Sequence, residues 1–279
     1  MERMAVNTVL LALESDPLEK LPEEMEELLE GFMSRPLAGD TQVGFTNYVF
    51  WMGVASVLLL IVMFAFRARQ AKSLVPQGVF VNFMESIVEF IRDDVCRVTV
   101  GDTWKQHFPF LATIFFFIAT NSMVGMLPGA HPGTGTIGVT GAIACCSLMY
   151  FIGTGARRMG MWGYIKSLAP KGVSFPMNAI VWVIEVFSTF LRLVTLAIRL
   201  FCNMFAGHIV MGTFAILASL FVQPLMQEFS DLALGQAAAS IFWTLLLIAI
   251  YLLELMVGIV QAYVFTLLSA VYIQLVESE

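Results

Sequence analysis

The chain has 279 residues, of which 58% are hydrophobic and only 13% are charged. Soluble globular domains are about half apolar and about one quarter charged, so this composition excludes that class and indicates a protein that lies in the lipid bilayer. The net charge of -6 belongs mainly to one segment, because ten of the 21 acidic residues precede Thr41.

Other classes of site lack support in the residue pattern. The four cysteines show no metal-ligand spacing, and we expect all four to be reduced. The histidines at positions 107, 131 and 208 are scattered and no H-E-x-x-H motif occurs, which argues against an intramembrane metalloenzyme. No basic patch supports nucleic-acid binding. We therefore expect no metal, no cofactor and no nucleic-acid partner.

Residues 1–44 form an acidic N-terminal arm. Within it, apolar residues recur at helical spacing beside a cluster of glutamates, and Pro22 suits the first turn of a helix. This pattern predicts a peripheral amphipathic helix whose apolar positions are Leu18, Leu21, Met25, Leu28, Leu29 and Phe32. The remaining residues, 45–279, are expected to form a polytopic membrane domain.

The first part of this domain predicts three ordinary membrane spans and one surface helix. Tyr48–Phe66 contains nineteen residues without a charge, enough to cross a hydrocarbon core of roughly 30 Å. Val79–Val95 mixes apolar and charged residues at helical spacing, which predicts an amphipathic helix on the membrane surface. Phe108–Leu127 and Ile137–Ile152 are the next two predicted spans.

The last two apolar stretches, Pro176–Val222 and Leu232–Leu275, each exceed forty residues. A helix of that length measures roughly 60–70 Å, about twice the hydrocarbon thickness. Neither run contains an internal proline or a polar cluster that would break it. We therefore predict two long tilted helices, joined by a turn at Gln223–Asp231, that form a hairpin over residues 176–275.

Lysine and arginine are distributed unequally among the loops. Loops 67–106 and 156–171 are basic, whereas loops 128–136 and 223–231 contain neither residue type. Cytoplasmic loops collect lysine and arginine. Five passes then place the N-terminal arm outside and the C-terminus in the cytoplasm.

Several polar or ionisable residues lie inside the predicted hairpin. An arginine at the bilayer centre costs from about 3 to more than 10 kcal/mol, so such residues usually face protein or water and mark an ion pathway. Simpler interpretations are snorkelling of side chains near a helix end, a structural histidine, or amides that bond neighbouring helices. The residues are Glu185, Arg192, Arg199, Asn203, His208, Glu254 and Gln261.

Spacing brings these residues together. Glu185, Arg192 and Arg199 are seven residues apart and share one helix face, with Asn203 one turn beyond. In an antiparallel hairpin that turns near residue 230, Arg199 lies level with Gln261.

By the same geometry His208 lies level with Glu254. The first level therefore combines a permanent cation with an amide. The second combines an imidazole with a carboxylate, a pair that exchanges protons near neutral pH.

Two segments, IRLFCNMFAGH (198–208) and VQAYVFTLLSAVYI (260–273), resemble the signature segments of subunit a of F-type ATP synthases. GYIKSLAP (163–170) and Pro128 after MVGML are also similar, and the resemblance covers roughly residue 45 to the end. It implies an all-α integral membrane protein with five passes, whose last two helices form a long tilted hairpin against a rotor ring of c subunits.

The resemblance also implies roles for individual residues. Arg199 would be the essential arginine that faces the carboxylate of each passing c subunit. A half-channel from the external side would be lined by Asn203, His208, Glu254 and Gln261. Glu185 would lie near the cytoplasmic exit, with Arg192 in a supporting position. Two departures from the family pattern are Cys202, which replaces the usual glycine, and Val124, which replaces a frequent acidic residue.

The implied partners are the c ring, b-type peripheral stalk subunits, the remaining ATP synthase subunits and membrane lipid. The chain would itself catalyse no reaction, and it would reside in an energy-coupling membrane such as the bacterial plasma membrane. H⁺ or Na⁺ as the carried ion stays open, and so does an organellar location. A secondary transporter with a buried arginine is a further alternative, although such proteins often show inverted repeats and broken helices that the sequence does not display.

Overall fold

The computed structural model describes residues 21–31, 36–38, 45–70, 78–127, 129–167, 177–227 and 231–278. The chain separates into two compact units. The first unit contains the described residues up to Thr46 together with Ala206–Leu255, and the second contains Asn47–Phe205 and Met256–Glu279. Each unit is described below by itself.

The N-terminal arm contributes one helix and a short strand pair to the first unit. Helix α1 covers Leu21–Gly31. Of the predicted apolar positions, Leu21, Met25 and Leu28 are half-buried and Leu29 is exposed, while residues 18 and 32 lie outside the described residues. Strands β1 (Pro36–Ala38) and β2 (Phe45–Thr46) pair antiparallel, with Pro36 opposite Thr46. The strand pair is a feature that the sequence analysis did not predict, because two or three residues are too few for a periodic pattern.

The second unit begins with helix α2, which covers Asn47–Gln70 and ends in two arginines. Helix α3 (Val79–Glu89) continues into a π-helical segment at Phe90–Arg97, then through Val98–Val100 and a 3₁₀ turn at Gly101–Thr103 into α4, Trp104–Gly125. A helix is therefore present over the predicted amphipathic stretch, but its second half is π-helical. It is also connected to the next span by almost continuous helical backbone.

Helix α5 covers Ile137–Met159, after a 3₁₀ turn at Gly133–Gly135, and the short helix α6 covers Met161–Ser167. The two long helices are unbroken, as predicted. Helix α7 runs for 51 residues over Met177–Gln227, and α8 runs for 48 residues over Asp231–Ser278. Both extend into the predicted turn, so the connection is shorter than the sequence suggested.

The chain is an all-α integral membrane protein. Among the described residues, five helical stretches are long and apolar enough to cross a bilayer. These stretches are Asn47–Gln70, Val79–Gly125, Ile137–Met159, Met177–Val222 and Ser240–Glu277. They correspond in number and order to the five predicted passes.

Side-chain packing holds the helices of the second unit together. Its core includes the fully buried Leu111, Ile118, Leu200 and Phe265. Between α5 and α8 the hydroxyls of Ser147 and Ser269 are 2.8 Å apart and buried. Lipid tails are as apolar as leucine, so membrane helices associate through close packing and such polar contacts rather than through the hydrophobic effect.

Candidate functional site

In the first unit, α7 and α8 bring His208 and Glu254 together. Both side chains are buried, and they interact electrostatically. A Cβ atom on Gly207 would overlap the Glu254 carboxylate, so the carboxylate can lie this close to α7 because residue 207 is a glycine. This geometry agrees with the predicted common level of the pair. Glu254 Oε1 is buried without a hydrogen-bond partner among the described residues, so a proton or a water molecule is needed there.

Contacts nearer the turn set the register of these helices. The Ser240 hydroxyl donates a hydrogen bond of 3.2 Å to the carbonyl of Ala218. The Trp243 ring lies 5.9 Å from the Phe214 ring and 6.3 Å from the Phe221 ring, centroid to centroid. These contacts join α7 to α8 in the same antiparallel register as His208 and Glu254.

Helix α1 packs against α7 one turn beyond His208. The Leu28 side chain occupies the space that a Cβ on Gly212 would need. The Thr213 hydroxyl contacts the Met25 sulfur at 3.4 Å. The apolar side of the predicted amphipathic helix therefore covers this part of α7, while its glutamates stay exposed.

In the second unit, Arg199 lies on the exposed face of α7. Leu196 and Leu200 turn into the core, whereas Arg199 shares its outward side with the exposed residues Ile198 and Cys202. No ion pair joins Arg199 to any residue that the structure describes.

Gln261 differs from Arg199 because it is turned away from the exposed surface of the helices. Its side chain is buried, and its amide nitrogen has no hydrogen-bond partner among the described residues. The predicted cation-and-amide pair is therefore not a direct contact. Positional spacing determines the level of a residue in a hairpin but not the direction of its side chain around the helix axis.

Glu185 and Arg192 form an ion pair, with 3.2 Å between Arg192 Nη2 and Glu185 Oε1. The Arg192 guanidinium also lies over the Tyr272 ring of α8, at 5.3 Å from the ring centroid. Glu185 and Arg192, which were predicted to share one helix face, are thus in direct contact. Arg192 is neutralised within the chain, unlike Arg199.

Sequence reasoning missed a group of buried polar residues away from the hairpin. Asn121 and Ser122 on α4 and Thr134 after it each have a buried oxygen without a hydrogen-bond partner in the described part of the chain. The same holds for the amide nitrogen of Asn203. Adjacent asparagine and serine within the apolar run of α4 were a usable signal, because polar residues in a span usually have a functional or packing reason.

The fold places the chain among polytopic all-α membrane proteins, and charged or amide side chains inside the spans are typical of members that move ions. Comparison with known proteins narrows this class. Residues 49–274 match the family model described as ATP synthase A chain.

Three relatives named "ATP synthase subunit a" show the extent of similarity. The protein of Myxococcus xanthus is 35% identical over 90% of this chain and 76% of its own length. That of Chloroherpeton thalassium is 35% identical over 84% and 67%, and that of Chlorobium phaeobacteroides is 32% identical over 95% and 72%. The chain belongs to the ATP synthase subunit a family, and it is a non-catalytic subunit of the membrane sector.

Proposed function

We propose that the chain is the proton-translocating stator subunit of an F-type ATP synthase, and that it offers two offset half-channels to a ring of c subunits. The observation that carries this proposal is the exposed, unpaired position of Arg199. Lipid cannot solvate a guanidinium on an apolar helix face, so this residue needs a carboxylate from a neighbouring protein. A carboxylate on each c subunit would meet that need.

Arg199 would act through its charge rather than by carrying protons. An arginine stays protonated in proteins and cannot deliver a proton. In a medium of low dielectric constant a nearby cation favours the ionised form of a carboxylate. A protonated rotor site would then have to lose its proton before passing Arg199, which separates the half-channels and blocks a direct leak. A membrane potential contributes about 2.3 kcal/mol per charge per 100 mV and biases the direction of rotation.

The external half-channel would use His208 and Glu254 as one titrating unit. An imidazole and a carboxylate in contact share their protons, so their titration belongs to the pair. Asn203 and Gln261 would line the same path. Their unpartnered amide nitrogens support this role, because buried polar groups in need of partners are places where ordered water binds.

Glu185 would lie near the cytoplasmic exit, with Arg192 as a supporting residue. Their ion pair favours this arrangement, because it holds the Glu185 carboxylate in a fixed orientation. Both residues would then act only at the cytoplasmic exit of the proton path. Neither residue is required to face the rotor.

The proposed partners are the c ring, b-type peripheral stalk subunits, the other ATP synthase subunits and membrane lipid. Residues 1–44 would form an external arm, and residues 45–279 the polytopic domain with its hairpin at 176–275. The loop charges support a cytoplasmic C-terminus, and the bacterial sources of the three relatives support a bacterial plasma membrane.

H⁺ is the proposed ion, since His208 and Glu254 offer a proton-exchanging pair. The unbroken α7 and α8 argue against a transporter with helices interrupted at the midplane.

The proposal is tested by Arg199→Ala, with Arg192→Ala as the matched control on the same helix. Potential-driven ATP synthesis is measured in vesicles, and the amount of assembled complex is quantified in parallel. Arg199→Ala should leave the complex assembled and abolish synthesis, whereas Arg192→Ala should be milder. Normal synthesis by assembled Arg199→Ala complexes would refute the mechanism.

A further inference from the structure

A second polar site lies within the second unit, apart from every residue discussed above. A cavity of about 580 Å³ opens where the ends of α4, α5 and α8 meet. Its volume falls within the range of roughly 300–1,000 Å³ that is usual for pockets that hold small molecules or headgroups. The membrane-sector function described above does not use this cavity.

Glu277 is the one carboxylate that the described residues contribute to the cavity wall, and it is hydrogen-bonded within the chain. Glu277 Oε1 lies 3.0 Å from Nε2 of the buried His107, and Oε2 accepts a hydrogen bond from the Thr103 hydroxyl. A carboxylate only accepts, so His107 Nε2 carries the hydrogen of this bond. His107 Nδ1 faces the Tyr150 hydroxyl at 3.1 Å. These four side chains therefore satisfy one another by hydrogen bonding.

Two arginines on the last turn of α5 complete the wall. Arg158 Nη1 donates to the backbone carbonyl of Glu277, which leaves the other guanidinium N–H groups of Arg158 available. Arg157 forms no ion pair with any residue in the described part of the chain. The amide of Gln106 also lines the cavity. Among the described residues, the wall thus presents two guanidinium groups and one amide without a further carboxylate.

We propose that this cavity binds a phosphate group. The planar fork of an arginine matches two oxygens of a phosphate, and such charge-assisted hydrogen bonds are among the strongest in proteins. The same cavity is lined by Met149, which is 69% exposed on the apolar surface of α5. A headgroup phosphate held by Arg157 and Arg158 would therefore leave an acyl chain free to lie along Met149. Basic pockets at the ends of membrane helices commonly hold anionic lipid headgroups.

The test uses the full-length chain in nanodiscs of phosphatidylcholine that contain a minor fraction of photoactivatable phosphatidylglycerol. After illumination, the cross-linked peptides are identified by mass spectrometry. Cross-links should concentrate on the peptide that carries Met149 and the two arginines. The double variant Arg157→Gln/Arg158→Gln should lower their yield by about ten-fold, the effect expected from the loss of one charge-assisted hydrogen bond.

The matched control is Arg67→Gln/Arg69→Gln, which removes the same charge from the last turn of α2 and should leave the yield unchanged. Equal losses in both double variants, or cross-links that do not map to this cavity, would overturn the proposal. Competition by millimolar inorganic phosphate would identify a soluble phosphate as the ligand. Its absence alongside localised cross-links would identify the lipid headgroup. Neither result bears on proton translocation, so the two proposals fail independently.

Discussion

Arg192 and Arg199 have the same side chain on the same helix, yet they differ in what neutralises their charge. Arg192 has Glu185 and the Tyr272 ring as partners within the chain. Arg199 has no ion-pair partner among the described residues and lies on an exposed face. A cation of the second kind can only be stabilised in a membrane by a group that another molecule supplies.

Arg199→Lys should therefore fail nearly as completely as Arg199→Ala. A lysine that is desolvated there can release its proton, and it lacks the planar fork that spans two acceptors. We expect assembled complexes with ATP synthesis close to background in energised vesicles. Synthesis near the wild-type rate would show that any positive charge suffices and that the geometry of arginine is not required.

His208 and Glu254 allow a test of coupling, because they face one another in the first unit. His208→Glu or Glu254→His alone places two like groups together. Each single change should lower proton flux by about ten-fold or more, which corresponds to about 1.4 kcal/mol in the barrier. The double exchange should recover part of the flux, as expected for residues that interact directly. A double variant no better than the worse single variant would show that the two residues do not act as a unit.

The functional residues of the long helices could be recognised from sequence because a charge inside an apolar run is costly and therefore rare. The level of a residue along the hairpin could be predicted as well, since the rise per residue is constant, and the electrostatic interaction of His208 with Glu254 follows this rule. The exposed direction of Arg199 and the cluster of His107 with Glu277 could not be predicted. They depend on which face of each helix packs against distant parts of the chain.

At the scale of the element, two glycines of α7 allow neighbouring side chains to approach the helix closely. A Cβ on Gly207 would overlap the Glu254 carboxylate, which belongs to a facing helix. A Cβ on Gly212 would meet the Leu28 side chain of α1, with one terminal methyl group nearest. A methyl group would therefore displace a carboxylate at position 207 but only an apolar side chain at position 212, although both positions lie inside the same helix.

Gly207→Ala should lower proton flux by about ten-fold, since overpacking of this kind costs about 1–3 kcal/mol and displaces the carboxylate. Gly212→Ala is the matched control and should leave flux near the wild-type level. Both changes raise helix propensity by about 1 kcal/mol, so helix stability cannot explain a difference between them. Proton flux is measured by dye quenching in vesicles with equal amounts of assembled complex. Equal flux in both variants would contradict the role assigned to Gly207.

The lengths of the elements were largely predictable. An uncharged run, a closing pair of arginines and the absence of proline within the last two runs specify α2, α7 and α8. The π-helical segment at Phe90–Arg97 was not predictable, because its 8 residues make only about two turns, too few for apolar spacing to distinguish a π-helix from an α-helix. The strands at Pro36–Ala38 and Phe45–Thr46 are too short for any periodic signal.

At the scale of the whole molecule, five passes require the two termini to lie on opposite sides of the membrane. The number of candidate spans agrees with this odd count among the described residues. Sidedness follows from loop charge, since the loops after the first and third predicted spans are basic. Composition alone could indicate a membrane protein, but only the order of charges along the chain indicates its direction.

The orientation can be tested with single cysteines in a variant that lacks the four native ones. Gln70→Cys lies at the end of α2, beside Arg67 and Arg69, and should react with an impermeant thiol reagent only from the cytoplasmic side. Glu228→Cys lies in the predicted turn between the long helices, outside the described residues, and should react only from the external side.

Ser278→Cys extends this test to the end of α8, which should again be cytoplasmic. Labelling is compared between right-side-out and inverted vesicles, with detergent-treated vesicles to show that each thiol is reactive. Three candidate spans lie between positions 70 and 228, so the two thiols should be on opposite sides, whereas an even number of crossings between them would place both on one side. Reaction of both thiols from the same side would therefore overturn the five-pass topology, and with it the external access proposed for His208 and Glu254.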